Sequence, residues 1–369
     1  MKKKKIVFIN NNFQKSDGTV TALIGLCNCL DYDKFDVTIV PLYNCDMSIA
    51  KQLNSSVHIK KVFGFYFKGL NRLVRLIPPD FLYKKFIGNS YDVEIAFQSD
   101  VPTKIVGYER HNNKVQICWM HTYDLFPKQY KNVDKIVCVS ECNVYKCKKE
   151  LSYEKDVVCC YNLIDDKKIV KMGQESAFIP GGKGPLLVTV GRLVPHKGFA
   201  RLVKILYELK LEKIFCRLII IGGGKEEKHL REIINKYKMF DCVYLLGKQD
   251  NPHKYTSKAD LFVCPSFSEG YSTACTEAAI LNIPILTTKV AGSEELIRDC
   301  ECGAVCGLDD ESLKKALKSI LLNKDIINEW KCILNKTKRK FSLKVREKDS
   351  INLFDEIYNL SEKRAKYEK

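Results

Sequence analysis

Short apolar runs alternate with amphipathic, helix-like stretches along almost the whole chain. In the first half the runs are IVFIN (6–10), VTIVPL (37–42), VEIAF (93–97), VQICW (115–119) and KIVCVS (135–140). Helix-period patterns lie between several of them, as over Val20 to Leu30. A second series begins at LLVTV (186–190) and continues with LIII (218–221), VYLL (243–246), LFVC (261–264) and PILTT (284–288). This alternation predicts parallel sheets built of βα units. Between the two series, Gly173 to Pro185 reads GQESAFIPGGKGP, rich in glycine and proline and without periodicity, the composition of a linker. The expected fold class is α/β, with two Rossmann-like parallel-sheet domains. Their expected bounds are 1–170 and 186–341, joined by a linker over 171–185. A charged C-terminal helix, 342–369, is free to pack on either domain, including a return to the first.

The length of 369 residues agrees with two domains of about 150–200 residues each. Apolar residues make up 46% and charged ones 28%, which excludes a disordered chain. No apolar run approaches the roughly 18 residues needed to span a bilayer. The start, MKKKKIVFIN, superficially resembles a secretory signal, but it has no small-residue cleavage site and turns polar at NNNFQKSDG. It reads as a lysine-flanked first strand. Seventeen cysteines scattered over strands and helices suit reduced thiols in a cytoplasm. Neither Cys138/Cys142/Cys147 nor Cys300/Cys302/Cys306 has the paired spacing of a zinc site, so no metal is expected.

A net charge of +17 asks for an anionic partner. Part of the excess is local: Lys60 to Gly88 carries Lys60, Lys61, Lys68, Arg72, Arg75, Lys84 and Lys85 against Asp80 alone. Aromatic and aliphatic side chains are interleaved with them, the mixture an interfacial segment needs to meet an anionic membrane surface. The plainer alternative is a helix packed on its domain with solvated lysines. No nucleic-acid-binding module is recognisable, so nucleic acid is not an expected partner.

Ligands of open parallel sheets bind beyond the carboxyl ends of the strands. Those positions in the second series carry Gly191-Arg192-Leu193-Val194-Pro195-His196-Lys197-Gly198, then Gly222 to Gly224, then Gly247-Lys248-Gln249, then SEGYSTACTEAA (268–279). Arg192 and Lys197 are suited to clamp a diphosphate, one as a planar fork and one as a movable point charge. The glycines permit close approach by a ligand or by another segment. Gly270 to Thr273 begin a helix with Ser272 as its expected cap, and free amides there favour an anion. Carboxylates such as Glu269 and Glu277 accept hydroxyls. An anion beside a polyol describes a nucleotide sugar. Competing patterns are weaker. The triple glycine lacks dinucleotide spacing, and Asp31-Tyr32-Asp33 sits ahead of a strand, where a turn is expected. A glycosidase pair of Glu269 and Glu277 leaves the two cations without a role.

These residues resemble the retaining nucleotide-sugar glycosyltransferases of family four, which have the two-domain GT-B fold. The resemblance rests on GRLVPHKG (191–198), SEGYSTACTEAA with its E-x7-E spacing, and AGSEELI (291–297), with weaker matches at VDKIVCVS (133–140) and YNLID (161–165). It implies that Arg192 and Lys197 hold the donor diphosphate and stabilise the leaving group. It also implies that Glu269 holds donor-sugar hydroxyls beside the amides of Gly270 and Tyr271, and that Glu277 holds the ribose. His121 matches the family's first-domain histidine near the transferred sugar, and the 11–19 loop would cover the phosphates across a closing cleft. The family usually has two glycines in that loop. Here Asp17 replaces one, which leaves Gly18 to cradle phosphate.

The resemblance further implies sugar transfer from a nucleoside-diphosphate sugar, most often a UDP-sugar, to a glycan or lipid-linked acceptor in surface polysaccharide assembly. No cofactor or metal is implied. The basic, aromatic 60–88 segment suggests an acceptor at a cytoplasmic membrane face, where the protein would be peripheral. The alternatives are another GT-B activity such as a nucleotide-sugar epimerase, or a non-catalytic protein binding polysaccharide or an anionic surface.

Overall fold

The computed structural model describes residues 2–14, 18–63, 67, 69–123, 127–151 and 156–366. They form two compact units, Met1–Ile164 with Arg346–Lys369, and Asp165–Val345. The first unit holds strands β1 (Lys4–Asn10), β2 (Phe35–Pro41), β3 (His58–Ile59), β4 (Val93–Ala96), β5 (Val115–Met120), β6 (Lys135–Cys138) and β7 (Asp156–Cys159). They make a seven-stranded sheet in the order β3-β2-β1-β4-β5-β6-β7, every pair parallel. The second unit holds β8 (Leu186–Val190), β9 (Arg217–Ile221), β10 (Val243–Gly247), β11 (Leu261–Cys264), β12 (Ile285–Thr288) and β13 (Gly303–Cys306). Their order is β10-β9-β8-β11-β12-β13, again all parallel.

Two strands of the first sheet, β3 and β7, and one of the second, β13, lie outside the apolar runs that the sequence pattern marks. All three are sheet edges and are only partly buried, so selection for a continuous apolar run is weak there. The central strands are buried on both faces and read clearly.

Alternation along β1 divides the first core. Val7 and Ile9 join Val40, Ala96, Cys118 and Ile136 on one face, under Leu70, Val74, Leu82 and Tyr83. Phe8 points to the other face, where Phe354 of the C-terminal helix (Leu343–Lys366) sits 6.3 Å away between ring centroids. Phe354 and Tyr358 also meet Phe35 edge-on at 5.9 and 5.8 Å. Ion pairs Lys4–Glu362 (2.6 Å) and Lys34–Asp355 (2.7 Å) flank this contact. The C-terminal helix thus returns to the first unit. In the second unit Leu202, Val203, Leu206 and Leu209 of the helix Phe199–Leu211 pack on Leu187, Leu218, Ile220 and Leu261.

The segment expected to be a linker is instead built into the second unit, and the division falls at Ile164/Asp165. Ser257 Oγ donates to the Gly173 carbonyl (2.6 Å), Arg217 to that of Pro180 (2.9 Å), and Tyr244 to that of Gly181 (3.0 Å). A Cβ on Gly184, whose φ is +81°, would lie 1.9 Å from the Phe215 carbonyl oxygen. Glycine is there for close backbone contact, not for flexibility. Asp31 forms the expected turn ahead of β2, accepting from the amides of Asp33 and Lys34. No helix among the described residues is long and apolar enough to cross a membrane.

Candidate functional site

In the second sheet the strand order reverses between β8 and β11, so the loops that follow these two strands open side by side. The loop after β8 ends in a single 3₁₀ turn, Pro195–Lys197, closed by Gly198 at φ +69°. A Cβ at Gly198 would stand 2.0 Å from the Pro265 carbonyl oxygen just past β11, so only glycine lets the loops touch. The Phe267 amide then donates to the His196 carbonyl (2.7 Å), lacing them together. Gly222 acts on the other flank. Its missing Cβ would meet the Gly191 carbonyl oxygen at 1.8 Å, so the triple glycine receives another segment of the chain.

This lacing brings Lys197 to Glu269. Lys197 Nζ lies 2.7 Å from Glu269 Oε1, and Ser266 Oγ donates to the same oxygen at 2.6 Å. Both ends of the pair keep some exposure, 20% for the lysine side chain and 12% for the glutamate. Burial works against the Lys197 ammonium, but Glu269 outweighs it and the lysine pKa stands above its ordinary value. Beneath them the Cys275 thiol hydrogen-bonds Cys264 and holds its pKa down to about 7, with Cys264 Sγ 3.9 Å from Glu269 Oε1. Arg192 is exposed, and among the described residues it has no ion-pair partner. The charges of Lys197 and Arg192, after burial itself, push the His196 pKa down.

Past Glu269 the chain enters the helix Thr273–Ile280. Ser272 caps it as expected, its Oγ accepting from the Cys275 amide at 3.3 Å. Gly270 and Tyr271 are buried, backed by Gly292 at φ +73°, where a Cβ would lie 2.8 Å from the Gly270 carbonyl oxygen. Glu277 sits farther along the helix with 18% of its side chain exposed, and its Oε2 is 3.8 Å from His253 Nδ1. Burial raises the Glu277 pKa to about 7, while burial and then Lys168 push His253 down to about 4.

The Glu277 shift has a stability consequence of definite sign. An unfolded glutamate ionises near 4.5, whereas the folded one holds its proton to about 7. Its contribution is therefore intact below pH 4.5 and is lost as pH rises from there to 7. Glu277→Gln is expected to melt several degrees above wild type at pH 8, with the difference gone by pH 4; the shift corresponds to roughly 3 kcal/mol. Parallel thermal melts at the two pH values check it, and equal melting points at pH 8 would contradict a costly buried carboxylate.

Several supporting residues escaped the sequence pattern. Arg201 is almost fully buried; it donates to the Pro265 carbonyl through Nε (3.0 Å) and Nη2 (2.6 Å), and its guanidinium stacks 3.8 Å from the Phe267 ring. It fixes the segment that precedes Glu269. Ser266 and His253 were likewise missed, although Ser266 lies just beyond a strand end and that position was itself a signal.

In the first unit the strand order reverses between β1 and β4. Gln98 Oε1, after β4, accepts from the Asn11 amide after β1 (2.7 Å), and Asn11 Nδ2 donates to the Ser99 carbonyl (3.2 Å). Gln98 also reaches Thr19 Oγ1, next to Gly18 at the start of the helix Gly18–Asn28. His121 follows β5, half-buried, its ring edge-on to Phe97 at 4.7 Å. Ser16 and Asp17 lie outside the described residues. The sequence-derived residues divide between the units: His121 and Gly18 lie in the first, and Arg192, Lys197, Glu269, Gly270, Tyr271, Ser272 and Glu277 in the second, where Lys197 and Glu269 are brought into direct contact.

Comparison with known proteins adds a family and a fold. Residues 175–339 match the family described as Glycosyl transferases group 1. The chain is similar to an N-acetylgalactosamine-N,N'-diacetylbacillosaminyl-diphospho-undecaprenol 4-alpha-N-acetylgalactosaminyltransferase of Campylobacter jejuni, 30% identical over 182 residues. That alignment covers 49% of this chain and spans about half, 47%, of the relative's length. Among solved structures, sucrose-phosphate synthase from Thermosynechococcus elongatus superposes with a TM-score of 0.78 at 13% identity, over 97% of this chain and 100% of that one. Anabaena HepE in complex with UDP gives a TM-score of 0.69 at 13% identity, over 95% and 100%. At such identities the likeness shows the fold, which is GT-B.

Proposed function

We propose that this chain, whose residues 175–339 match Glycosyl transferases group 1, moves a hexosyl-type sugar from a nucleoside-diphosphate sugar onto a glycan or lipid-linked acceptor, with retention at the anomeric carbon. The observation that carries this reading is the Lys197–Glu269 pair at the strand-order reversal of the second sheet. There a cation suited to phosphate and a carboxylate suited to hydroxyls stand 2.7 Å apart beside a capped helix start.

Lys197 and Arg192 hold the diphosphate and stabilise the charge that grows on it as the sugar–phosphate bond breaks. The amides of Gly270 and Tyr271 and the helix start at Ser272 add fixed positive potential to the same region. Glu269 accepts hydroxyls of the sugar, and Glu277, ionised above pH 7, accepts the ribose diol. In the first unit, His121 and Gly18 keep the sugar-facing and phosphate-facing roles that the family resemblance implies for them. A uridine base is supported by HepE, whose structure holds UDP. A lipid-linked acceptor is supported by the Campylobacter relative, which is named for a diphospho-undecaprenol substrate. Surface polysaccharide assembly in the cytoplasm, at the inner membrane face, is the setting that fits both.

Positive charge from Lys197, Arg192 and the helix start makes a metal unnecessary in this reading. The test is a panel of nucleotide sugars assayed for transfer and hydrolysis, each with and without EDTA. One donor is expected to stand out, a UDP-sugar, with turnover unchanged by the chelator. Turnover abolished by EDTA and restored by a divalent cation would overturn the metal-free assignment. A donor merely converted to another nucleotide sugar would replace the transferase by an epimerase.

A further inference from the structure

The helices Leu70–Leu76 and Pro79–Phe86 of the first unit each bury one face and leave the other open. Leu70 and Val74, four residues apart, are buried, as are Leu82 and Tyr83. The open sides carry large apolar groups: Leu73 is 54% exposed, Leu76 81% and Phe81 51%. Leu73 and Leu76 share a helix face by their spacing, as Phe81 does with Lys84 and Lys85. Leu76 and Phe81 flank the short Ile77–Pro78 joint between the helices.

We propose that this surface docks on a phospholipid bilayer bearing anionic headgroups, with Leu73, Leu76 and Phe81 entering the interface and Arg72, Lys84 and Lys85 meeting the headgroups. A side chain four-fifths exposed, such as Leu76, protrudes and does not line a groove, which suits insertion among acyl chains. The charge is complementary to an anionic surface: the 60–88 stretch has seven cations and one carboxylate. The structure also sorts those cations. Arg75 is held by Asp100 at 2.5 Å and Lys60 Nζ by the Phe86 carbonyl at 2.9 Å, so neither belongs to the docking set, and Lys68 lies outside the described residues. Lys85 stands 5.5 Å from the centre of the Phe81 ring, on the open side. Lys84 approaches Asp80 only to 3.9 Å.

The second helix is anchored firmly enough to present this face. The Tyr83 hydroxyl donates to Glu94 Oε1 and accepts from Lys114 Nζ, both at 2.7 Å, and Lys114 pairs with Glu94 at 2.7 Å in a fully buried triad. Breaking so buried a set leaves charge unpaired, so the helix is fixed to β4.

The test is cosedimentation of the full chain with phosphatidylglycerol-containing vesicles and with pure phosphatidylcholine vesicles. Binding to the first and not the second is expected, weakening as salt rises. Each cation near the surface is worth roughly fivefold, so Arg72→Gln, Lys84→Gln and Lys85→Gln together are expected to weaken partition on the order of 100-fold. Leu76→Ser with Phe81→Ser is expected to weaken it roughly tenfold. These exposed changes leave the near-UV circular dichroism unchanged. No binding to anionic vesicles at low salt overturns the proposal. So does wild-type binding by both variants, which would assign it to the diffuse charge of the chain. The assay contains no nucleotide or sugar, so its failure leaves the glycosyl-transfer reading standing, and the converse also holds.

Discussion

Lys197→Ala is expected to lower turnover by on the order of 10²–10³-fold while the protein stays folded. That is the usual cost of deleting one preorganised group aimed at charge that develops in the transition state. The lysine is poised for this work. It is held at the end of a 3₁₀ turn whose closing Gly198 touches the strand β11 exit, and Glu269 keeps its ammonium charged despite burial. In the free protein Glu269 is its partner. Truncation leaves Glu269 with Ser266 still donating at 2.6 Å, so its carboxylate is not stranded and the loss of stability is small. Steady-state transfer assays with near-UV circular dichroism check both halves. A folded variant with wild-type turnover would remove Lys197 from the mechanism.

How much of this was legible in the sequence depends on where each residue lies. The buried strands β1, β8 and β11 announce themselves because both faces are covered, and the apolar run is then unbroken. Edge strands such as β3 and β13 carry no such constraint and are silent. Lys197 and Glu269 were each marked by position beyond a strand. Their pairing was not, because they are 72 residues apart and β9 and β10 intervene in the chain. Only the sheet order, with β8 beside β11, brings them together. Arg201 reads as an ordinary helix arginine, since nothing in a helical stretch says that a guanidinium turns inward to the carbonyls of Pro265, Ser266 and Leu308. The 171–185 segment has the composition of a linker, yet its Gly184 makes a close backbone contact. Glycine reports a tight backbone contact as readily as flexibility, and composition alone does not separate them.

Glu269→Gln is the second large effect. If Glu269 accepts hydroxyls of the donor sugar, the amide keeps the shape but loses the charge and part of the acceptor capacity. Charged hydrogen bonds are worth roughly 1.5–3 kcal/mol, so affinity for the intact nucleotide sugar is expected to fall by about 10–100-fold. Affinity for the bare nucleoside diphosphate is expected to hold or improve, because a negative charge has left the neighbourhood of the phosphates. That split separates a sugar-holding carboxylate from one that merely orients Lys197. An orienting role would weaken both ligands together.

The central claim is that the second unit binds a nucleotide sugar through Lys197 and its neighbours. Its most direct test is calorimetric titration of UDP into the wild-type protein and into Lys197→Ala. Saturable 1:1 binding to the wild type is predicted, about 10–100-fold weaker in the variant, as expected for one lost charged contact. Absence of binding to the wild type by UDP and by every other nucleoside diphosphate, or equal affinity in the two proteins, would contradict it.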